Sequence, residues 1–327
     1  MIINWVGNFQ NGYVGETGDS NHLVRELERL GHTVRKLPQD EWREYVLEGY
    51  PADKYKNIPE NIMADINIIC KWHHFYDNRF INSLRVLSEA PVFYWVWDYM
   101  DDQGIPDWHV DSVNAADLYL GNDVRNPRYR AFPKNNLYYF PFDVSDGDIQ
   151  KKNLNKEHDV VFFGSKLGQG HRSEWLKEIN KKIPIKVFSW NYQDWRIDGF
   201  DAWPAVYGND FADEVSRSKI ILGFNVEPDC WGYWSNRVGK ILTLGGFLLY
   251  EYAPGMELFL KDGAEYFSSP EEAVEKIDHY LIADIEREQI ARNGYLIGRE
   301  NFTSKARIKQ LEILMDRFLK KKGEWKI

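Results

Sequence analysis

The sequence has little of several features that define whole classes of proteins. Only two cysteines, Cys70 and Cys230, occur in 327 residues, and they form neither a disulfide framework nor a metal-binding motif. No run of residues approaches the roughly 18 apolar positions of a membrane-spanning helix. The first residues lack the basic and apolar regions of a secretory signal. A net charge of −9 argues against a general polyanion-binding protein. These absences predict a soluble cytoplasmic protein with no membrane contact.

What the sequence does contain is a repeated alternation of apolar strands and amphipathic helices. Hydrophobic residues make up 43% of a chain that is longer than one typical domain. The predicted strands are Ile2–Val6, Thr33–Leu37, Asp65–Cys70, Pro91–Trp97 and Ala116–Gly121, then Asp159–Gly164, Ile185–Ser189, Ile220–Asn225 and Phe247–Tyr250. This order is typical of parallel sheets covered by helices. We therefore predict an α/β protein of two Rossmann-like, doubly wound domains that face each other across a cleft. The polar segment Asp146–His158 is the predicted linker, which gives domains 1–148 and 157–300.

Two segments of the second half are typical of phosphate-binding sites. In Ser235–Phe267 a predicted helix begins at Arg237, ends at Gly245-Gly246 and leads into a buried strand. An arginine at a helix start beside a parallel sheet favours an anion. The second segment is a glycine-containing loop after a strand, with Gly164, Ser165 and Lys166, followed by a helix that starts near Arg172. Two cationic helix starts in one domain indicate a diphosphate ligand.

The same residues carry a resemblance to a known family. The strings FFGS, GQGHR, WPAVYGNDFADEVSRSKIILGFN, SNRVGKILTLGGFLL and PGMELFLKDGAEYF follow one another over roughly residues 158–315. In this order they resemble glycosyltransferases of the two-domain GT-B type that use nucleotide sugars. The subgroups most similar are the CgeB-like transferases and the phage DNA β-glucosyltransferases. The first half matches more loosely, through its first strand and glycine loop, HLVRELERLGHTV and FYWVWD.

The resemblance implies an activity and a set of site residues. It implies sugar transfer from a nucleotide-diphosphate sugar, most simply a UDP-sugar, to a hydroxyl acceptor. Arg172 and Arg237, with Lys166, would bind the diphosphate, and the stretch at Val206 and Tyr207 would bind the base. Asp98 and Asp19 fall where the β-glucosyltransferases keep their acidic residues. The segment 301–327 would pack back on the N-terminal domain, and a phage-encoded enzyme would work in the host cytoplasm.

One position departs from the family pattern. Many relatives have a glutamate three residues after the arginine, where it binds the ribose hydroxyls, but here that residue is Lys240. A lysine ammonium cannot accept hydrogen bonds from hydroxyls. Glu227 or Glu251 could replace the glutamate, the register could be shifted by one residue, or the donor could differ. Lys240 also leaves open a non-catalytic nucleotide-sugar-binding module, and a GT-B-type epimerase is a further alternative.

The chemistry of glycosyl transfer gives independent roles to some of these residues. Paired arginines stabilise a leaving diphosphate, so we expect neither a metal nor a cofactor. An inverting transfer needs a base for the acceptor hydroxyl, and Asp98 follows an apolar, aromatic strand that would raise its pKa. His22 is the first rival base, ahead of His73 and His74. The alternative role for this segment is metal binding, with the carboxylates of Asp98, Asp101 and Asp102 as ligands.

The acceptor is left open by the sequence. A group of basic residues in the first half offers contacts for nucleic-acid phosphates: Arg125, Arg128, Arg130 and Lys134. DNA is therefore one candidate acceptor and a glycan is another.

Overall fold

The protein is described here by a computed structural model that divides into two compact units. It describes all residues except 10–19, 40, 43–60, 71–75, 97–104, 123, 126–128, 130–135, 142–145, 167–170, 227 and 325–327. The first unit comprises the described residues up to position 141 and those from Ile308 onward. The second comprises the described residues from position 146 to Arg307.

The first unit is built on a six-stranded parallel sheet in the order β2-β1-β3-β4-β5-β6. Its strands are β1 Ile2–Gly7, β2 Thr33–Pro38, β3 Ile66–Cys70, β4 Val92–Trp95, β5 Leu118–Gly121 and β6 Leu137–Tyr139. Its helices before residue 142 are α1 Asn21–Arg29, α2 Asn78–Ser88 and α3 Asp107–Ala115. Strands β3 and β4 are buried along their whole length, as expected of central strands covered on both faces. The side chain of Asp77 caps α2 by accepting a hydrogen bond from the Phe80 backbone N–H at 3.0 Å.

The second unit has its own six-stranded parallel sheet, in the order β12-β11-β10-β7-β8-β9. Its strands are β7 His158–Phe163, β8 Lys186–Ser189, β9 Asp201–Pro204, β10 Ser218–Gly223, β11 Leu248–Glu251 and β12 Glu265–Phe267. Its helices are α4 His171–Asn180, α5 Tyr192–Ile197, α6 Gly208–Arg217, α7 Arg237–Thr243, α8 Met256–Leu260, α9 Pro270–Ile282 and α10 Asp284–Asn301. Two parallel sheets with helices confirm the predicted α/β class.

The turn between α7 and β11 shows why this sequence forms a helix followed by a buried strand. Gly245 has a φ of +75°, a left-handed conformation that ends the helix and that other residues adopt only with strain. A Cβ on Gly246 would lie 2.8 Å from the Ile221 side chain of β10. The turn therefore needs one glycine for its backbone angle and the other for close packing on the sheet.

The long helix α11, Ser304–Glu324, begins in the second unit and belongs to the first from Ile308 onward. Three of its apolar side chains are fully buried: Ile308, Leu311 and Met315. Phe318 packs edge-on against Phe93 of β4, with 5.0 Å between the ring centroids. The carboxylate of Glu312 lies 3.1 Å from the His32 ring. The last part of α11 is thus a structural element of the first sheet's unit.

Several predicted bounds differ from the structure. Strand β4 ends at Trp95 rather than Trp97, and the predicted linker Asp146–His158 includes the first residue of β7. The aromatic-rich stretch from Trp190 to Trp203, where no strand is predicted, contains α5 and the edge strand β9. Within the described part of the chain, no helix combines the length and apolarity that crossing a membrane requires.

Candidate functional site

The candidate site lies at the carboxyl edge of the second unit's sheet. Strands β7, β8, β10 and β11 end at this edge, at Phe163, Ser189, Gly223 and Glu251. Because the strands are parallel, the loops that follow them meet there, which is where ligands bind in doubly wound sheets. The segments after β7 and β10 lead to the helix starts that carry Arg172 and Arg237.

Arg172 is the second residue of α4, and only 5% of it is exposed. Its Nη2 donates a hydrogen bond of 2.6 Å to the Ser165 carbonyl, and its guanidinium lies over the Phe162 ring. Burial, and then the positive charge of Arg237, lower the pKa of Arg172 to about 10. The two arginines are therefore close enough to repel each other, as expected of a pair placed to share an anion.

Arg237 begins α7 and is half-buried. Its Nη1 donates to the Ser235 hydroxyl at 2.8 Å. Burial lowers the pKa of Arg237, while the neighbouring phenols of Tyr250, Tyr233 and Tyr207 act in the opposite direction. The guanidinium thus sits among aromatic hydroxyls with a serine to orient it.

Tyr250 links the strand β11 to the segment that carries Arg237. It is 1% exposed; its hydroxyl donates to the Phe224 carbonyl at 3.2 Å and accepts from the Ser235 backbone N–H at 3.2 Å. Its ring occupies the space that a side chain on Gly223 would need, since a Cβ there would lie 2.0 Å from Tyr250 Cδ2. Tyr250 therefore holds the Ser235–Arg237 segment against the end of β10.

Glu251, at the end of β11, joins three segments of the site. It is 3% exposed; one oxygen lies 2.7 Å from the His171 Nε2 and the other accepts from the Asn225 backbone N–H at 3.1 Å. Burial raises the pKa of Glu251, although His171, the Asn225 hydrogen bond and Arg172 pull it down. Each carboxylate oxygen thus has one partner within the protein, and Glu251 connects the end of β11 to the segments that carry His171 and Asn225. Its predicted role at the ribose stays a prediction, and Glu227 lies outside the described residues.

The glycine-containing loop after β7 is held by residues of the neighbouring strand end. The Gly164 backbone N–H donates to the Phe188 carbonyl at 3.0 Å. Asn191 accepts from the Lys166 backbone N–H at 3.0 Å and donates to the Lys166 carbonyl at 3.0 Å. The Lys166 ammonium lies 2.6 Å from Asp198. In this structure Lys166 is paired with a carboxylate, and its predicted contact with phosphate stays a prediction.

Of the other predicted donor-site residues, Tyr207 lies near Arg237 and Lys240 lies on the same helix. Val206 is half-buried beside the apolar cluster of Phe163, and Tyr207 precedes α6. Lys240 follows Arg237 by three residues, so the two side chains share one side of α7. Only 8% of Lys240 is exposed. The residue three positions after Arg237 is therefore a second, largely buried cation.

The predicted acid–base residues belong to the first unit or lie outside the described residues. His22 is in the first turn of α1 and is 6% exposed. Asp19 and Asp98 lie outside the described residues, and so do His73, His74, Asp101 and Asp102. Of the basic group, only Arg125 is described. Their predicted roles stay predictions.

The tryptophans of two aromatic-rich segments, 190–203 and 230–234, include both buried and exposed side chains. Trp195 and Trp234 are buried, at 0% and 4% exposed. Trp190 and Trp203 are 71% and 45% exposed. Of these four tryptophans, Trp190 and Trp203 have faces that a sugar or a base could contact.

Sequence reasoning found the two arginines but missed His171, Asn225 and the structural use of Tyr250. A signal was present for Glu251, an acidic residue directly after three apolar residues of a buried strand. Its partners are 26 and 80 residues away in the chain, so only the fold shows them. Taken together, these residues form a cationic, partly aromatic edge of the sheet that is suited to a diphosphate.

Comparison with known proteins agrees with this geometry. The family model described as glycosyl transferase-like matches residues 171–313, the segment that carries both arginines. No curated protein matches the sequence. Sucrose-phosphate synthase from Thermosynechococcus elongatus has a similar structure, with a TM-score of 0.68 and 10% identity over 98% of this chain and 99% of that one. HepE from Anabaena, solved in complex with UDP-glucose, has a TM-score of 0.65 and 11% identity over 97% of this chain and 100% of that one.

The second unit thus carries a glycosyl transferase-like domain, and nearly the whole chain has the GT-B fold.

Proposed function

We propose that this protein transfers a sugar from a UDP-sugar to a hydroxyl acceptor. The observation that carries the proposal is the placement of Arg172 and Arg237 at the carboxyl edge of one parallel sheet, close enough for the charge of Arg237 to lower the pKa of Arg172. A diphosphate between them would relieve that repulsion and would be stabilised further as it leaves the sugar. The UDP-glucose complex of the similar HepE structure supports a uridine donor.

The acceptor activation that we propose is an inverting transfer with Asp98 as the general base. A carboxylate there would take the proton from the acceptor hydroxyl as the oxygen attacks the anomeric carbon and the UDP leaves. His22 is the competing base, since it lies at the start of α1. A similar structure, a trehalose-6-phosphate synthase, is described as transferring with retention. Retention needs no such base, so the anomeric configuration of the product decides between the two mechanisms.

Lys240 favours a second candidate, a module that binds a nucleotide sugar without transferring it. Its buried cation stands where relatives have a ribose-binding carboxylate, which weakens the case for the usual donor geometry. An epimerase of the same fold is the third possibility. The three differ in their products: a transferase alters the acceptor, an epimerase alters only the sugar nucleotide, and a module alters neither.

The first experiment is calorimetric titration of UDP and UDP-glucose into the wild type and Arg237→Ala. We expect the variant to bind UDP more weakly by about 1.5–3 kcal/mol, or roughly 10- to 150-fold, the loss of a charge-assisted hydrogen bond. Arg79→Ala removes the same charge from an exposed position of α2 and serves as the control. Equal affinities in the wild type, Arg237→Ala and Arg172→Ala would refute the diphosphate assignment.

A further inference from the structure

An open cavity of about 820 Å³ lies within the second unit, at the edge of the sheet where the strands begin. Its lining includes residues at or next to the beginnings of the strands: Lys156 before β7, Lys219 in β10 and Phe247 before β11. The candidate donor site lies where these strands end. Since β10 has six residues, the two sites are about 20 Å apart along the strands. The volume falls within the roughly 300–1,000 Å³ of small-ligand pockets.

The lining of this cavity is strongly cationic although the chain is acidic overall. The lining includes a single carboxylate, Glu288. It also includes six basic side chains: Lys151, Lys152, Lys156, Lys219, Arg287 and Arg292. The whole chain has a net charge of −9. Such a local concentration of positive charge attracts an anion, and without an anion the mutual repulsion of the cations lowers the stability of the fold.

Part of this charge is already balanced by the protein. Lys219 lies 2.6 Å from Asp159, Arg287 lies 2.6 Å from Asp284, and Lys152 lies 4.0 Å from Asp213. Lys151, Lys156 and Arg292 form no ion pair with any carboxylate in the part of the chain that the structure describes. These three side chains therefore supply the positive charge left for a ligand.

The geometry around Lys156 shows that the cations converge. Its ammonium donates to the Ser216 carbonyl at 2.8 Å and to the Ser218 carbonyl at 2.7 Å, which leaves one of its three N–H groups for a further acceptor. Burial of this ammonium, and then the charges of Arg287 and Lys151, lower the pKa of Lys156 to about 8, although the carboxylate of Glu288 acts in the opposite direction. Three like charges thus act on one another across the cavity.

Lys151 is held in place by apolar contacts rather than by a carboxylate. Its ammonium lies 5.4 Å from the centre of the Tyr295 ring, and its stem packs beside Gly245, where an added Cβ would lie 2.9 Å from the Lys151 Cδ. A larger residue at Gly245 would displace the lysine from the cavity. The side chain is therefore oriented by the α7–β11 turn on one side and by α10 on the other.

We propose that this cavity is a binding site for a small anion that carries two or more phosphate groups, separate from the donor site. Lys151, Lys156 and Arg292 would contact the phosphates, and Arg287 would add a fixed positive charge behind them. The exposed apolar residues of the rim, Ile285 at 89% and Leu296 at 59%, would contact any organic part of the ligand. The inference does not depend on sugar transfer.

The test uses inorganic tripolyphosphate, titrated calorimetrically into the full chain at about 150 mM salt, where long-range attraction is screened. We expect saturable binding that Lys151→Ala/Arg292→Ala weakens by about tenfold or more, as two charge-assisted contacts are lost. Lys181→Ala/Lys182→Ala makes the same change of charge at exposed positions outside the cavity lining and is the matched control. It should change the affinity by less than about twofold. UDP is present at a saturating concentration throughout, so that tripolyphosphate does not occupy the donor site.

Hydrogen exchange supplies the second readout, because tripolyphosphate should slow exchange in α10. If Lys151→Ala disturbs the α7–β11 turn, Arg292→Glu, at an exposed position, serves as a further variant that should weaken the binding of tripolyphosphate. The proposal is overturned by the absence of saturable binding at millimolar tripolyphosphate or by equal losses in the control. It is also overturned if Arg237→Ala alone abolishes binding, which would place the anion at the donor site. Binding to vesicles of phosphatidylglycerol without binding of tripolyphosphate would likewise overturn it in favour of a lipid surface.

Discussion

Tyr250→Phe removes one oxygen from the second unit and should affect both its stability and its donor site. In the wild type the hydroxyl donates to the Phe224 carbonyl and accepts from the Ser235 backbone N–H, at 3.2 Å each. The ring itself would stay in place against Gly223. The substitution therefore tests the two hydrogen bonds without creating a large cavity.

The expected loss of stability follows from the hydrogen bonds that the Phe224 carbonyl and the Ser235 N–H lose. A buried group left without its partner costs about 1–3 kcal/mol, and the Phe224 carbonyl and the Ser235 N–H both face a side chain that is 1% exposed. We therefore expect the free energy of unfolding to fall by about 1–3 kcal/mol. Because the Ser235 hydroxyl orients Arg237, we also expect UDP to bind roughly three- to tenfold more weakly, or about 0.7–1.4 kcal/mol.

The assay is urea denaturation together with calorimetric titration of UDP under conditions where each variant is folded. Tyr252→Phe is the matched control, since this tyrosine lies two residues further on and is 40% exposed. It should change stability by less than about 0.5 kcal/mol. Wild-type stability in Tyr250→Phe would refute the role of the hydroxyl. A loss of stability with unchanged UDP affinity would refute its role in positioning Arg237.

Three further predictions concern other parts of the molecule. Leu311→Ala should destabilise the first unit by about 2–5 kcal/mol, whereas Ile313→Ala, at a 45% exposed position of α11, should have little effect; hydrogen exchange in β1 and β4 distinguishes them. Asp98→Asn should lower turnover by about 10²–10⁴-fold with UDP affinity retained, and nuclear magnetic resonance of the product should show inversion. Burial raises the pKa of Asp198, but hydrogen bonds from Lys166 and Lys177 outweigh it and hold the pKa below its usual value. Its contribution to stability is therefore fully present above the usual pKa of 3.8 and is lost as the pH falls through the lowered pKa, so Asp198→Asn should be most destabilising at pH 6 and progressively less so in more acidic solution, as measured by denaturation.

The elements that could be predicted from the sequence are those with a local cause. Gly245 ends α7 because of its own backbone angle, and the apolar run after it forms a buried strand because both faces of a central strand are covered. Strand β9 was missed because three of its four residues are exposed, so an edge strand of this kind carries no apolar pattern. Helix α5 was missed because it is only six residues long.

The candidate site divides in the same way. Arg172 and Arg237 could be predicted because each follows a strand, and parallel strands bring their carboxyl ends to one edge. The contacts of Glu251 with His171 and Asn225 could not, since they depend on the order in which β11, β10 and β7 pair. The cavity at the other edge of the sheet could not be predicted from the sequence either, because its cations come from three separate parts of the chain: the segment before β7, the start of β10 and helix α10.

The membership of α11 in the first unit has a consequence for synthesis on the ribosome. The six strands of the first sheet are complete by Tyr139, yet the unit also needs Ile308, Leu311 and Phe318 to cover its apolar surface. The nascent second unit, from residue 146 to Arg307, emerges between these two parts. Domains generally fold in the order of synthesis, but here the amino-terminal sheet must wait, partly uncovered, until its last helix has been translated. The second unit should therefore reach its native state first, and chaperones should engage the first sheet during that interval.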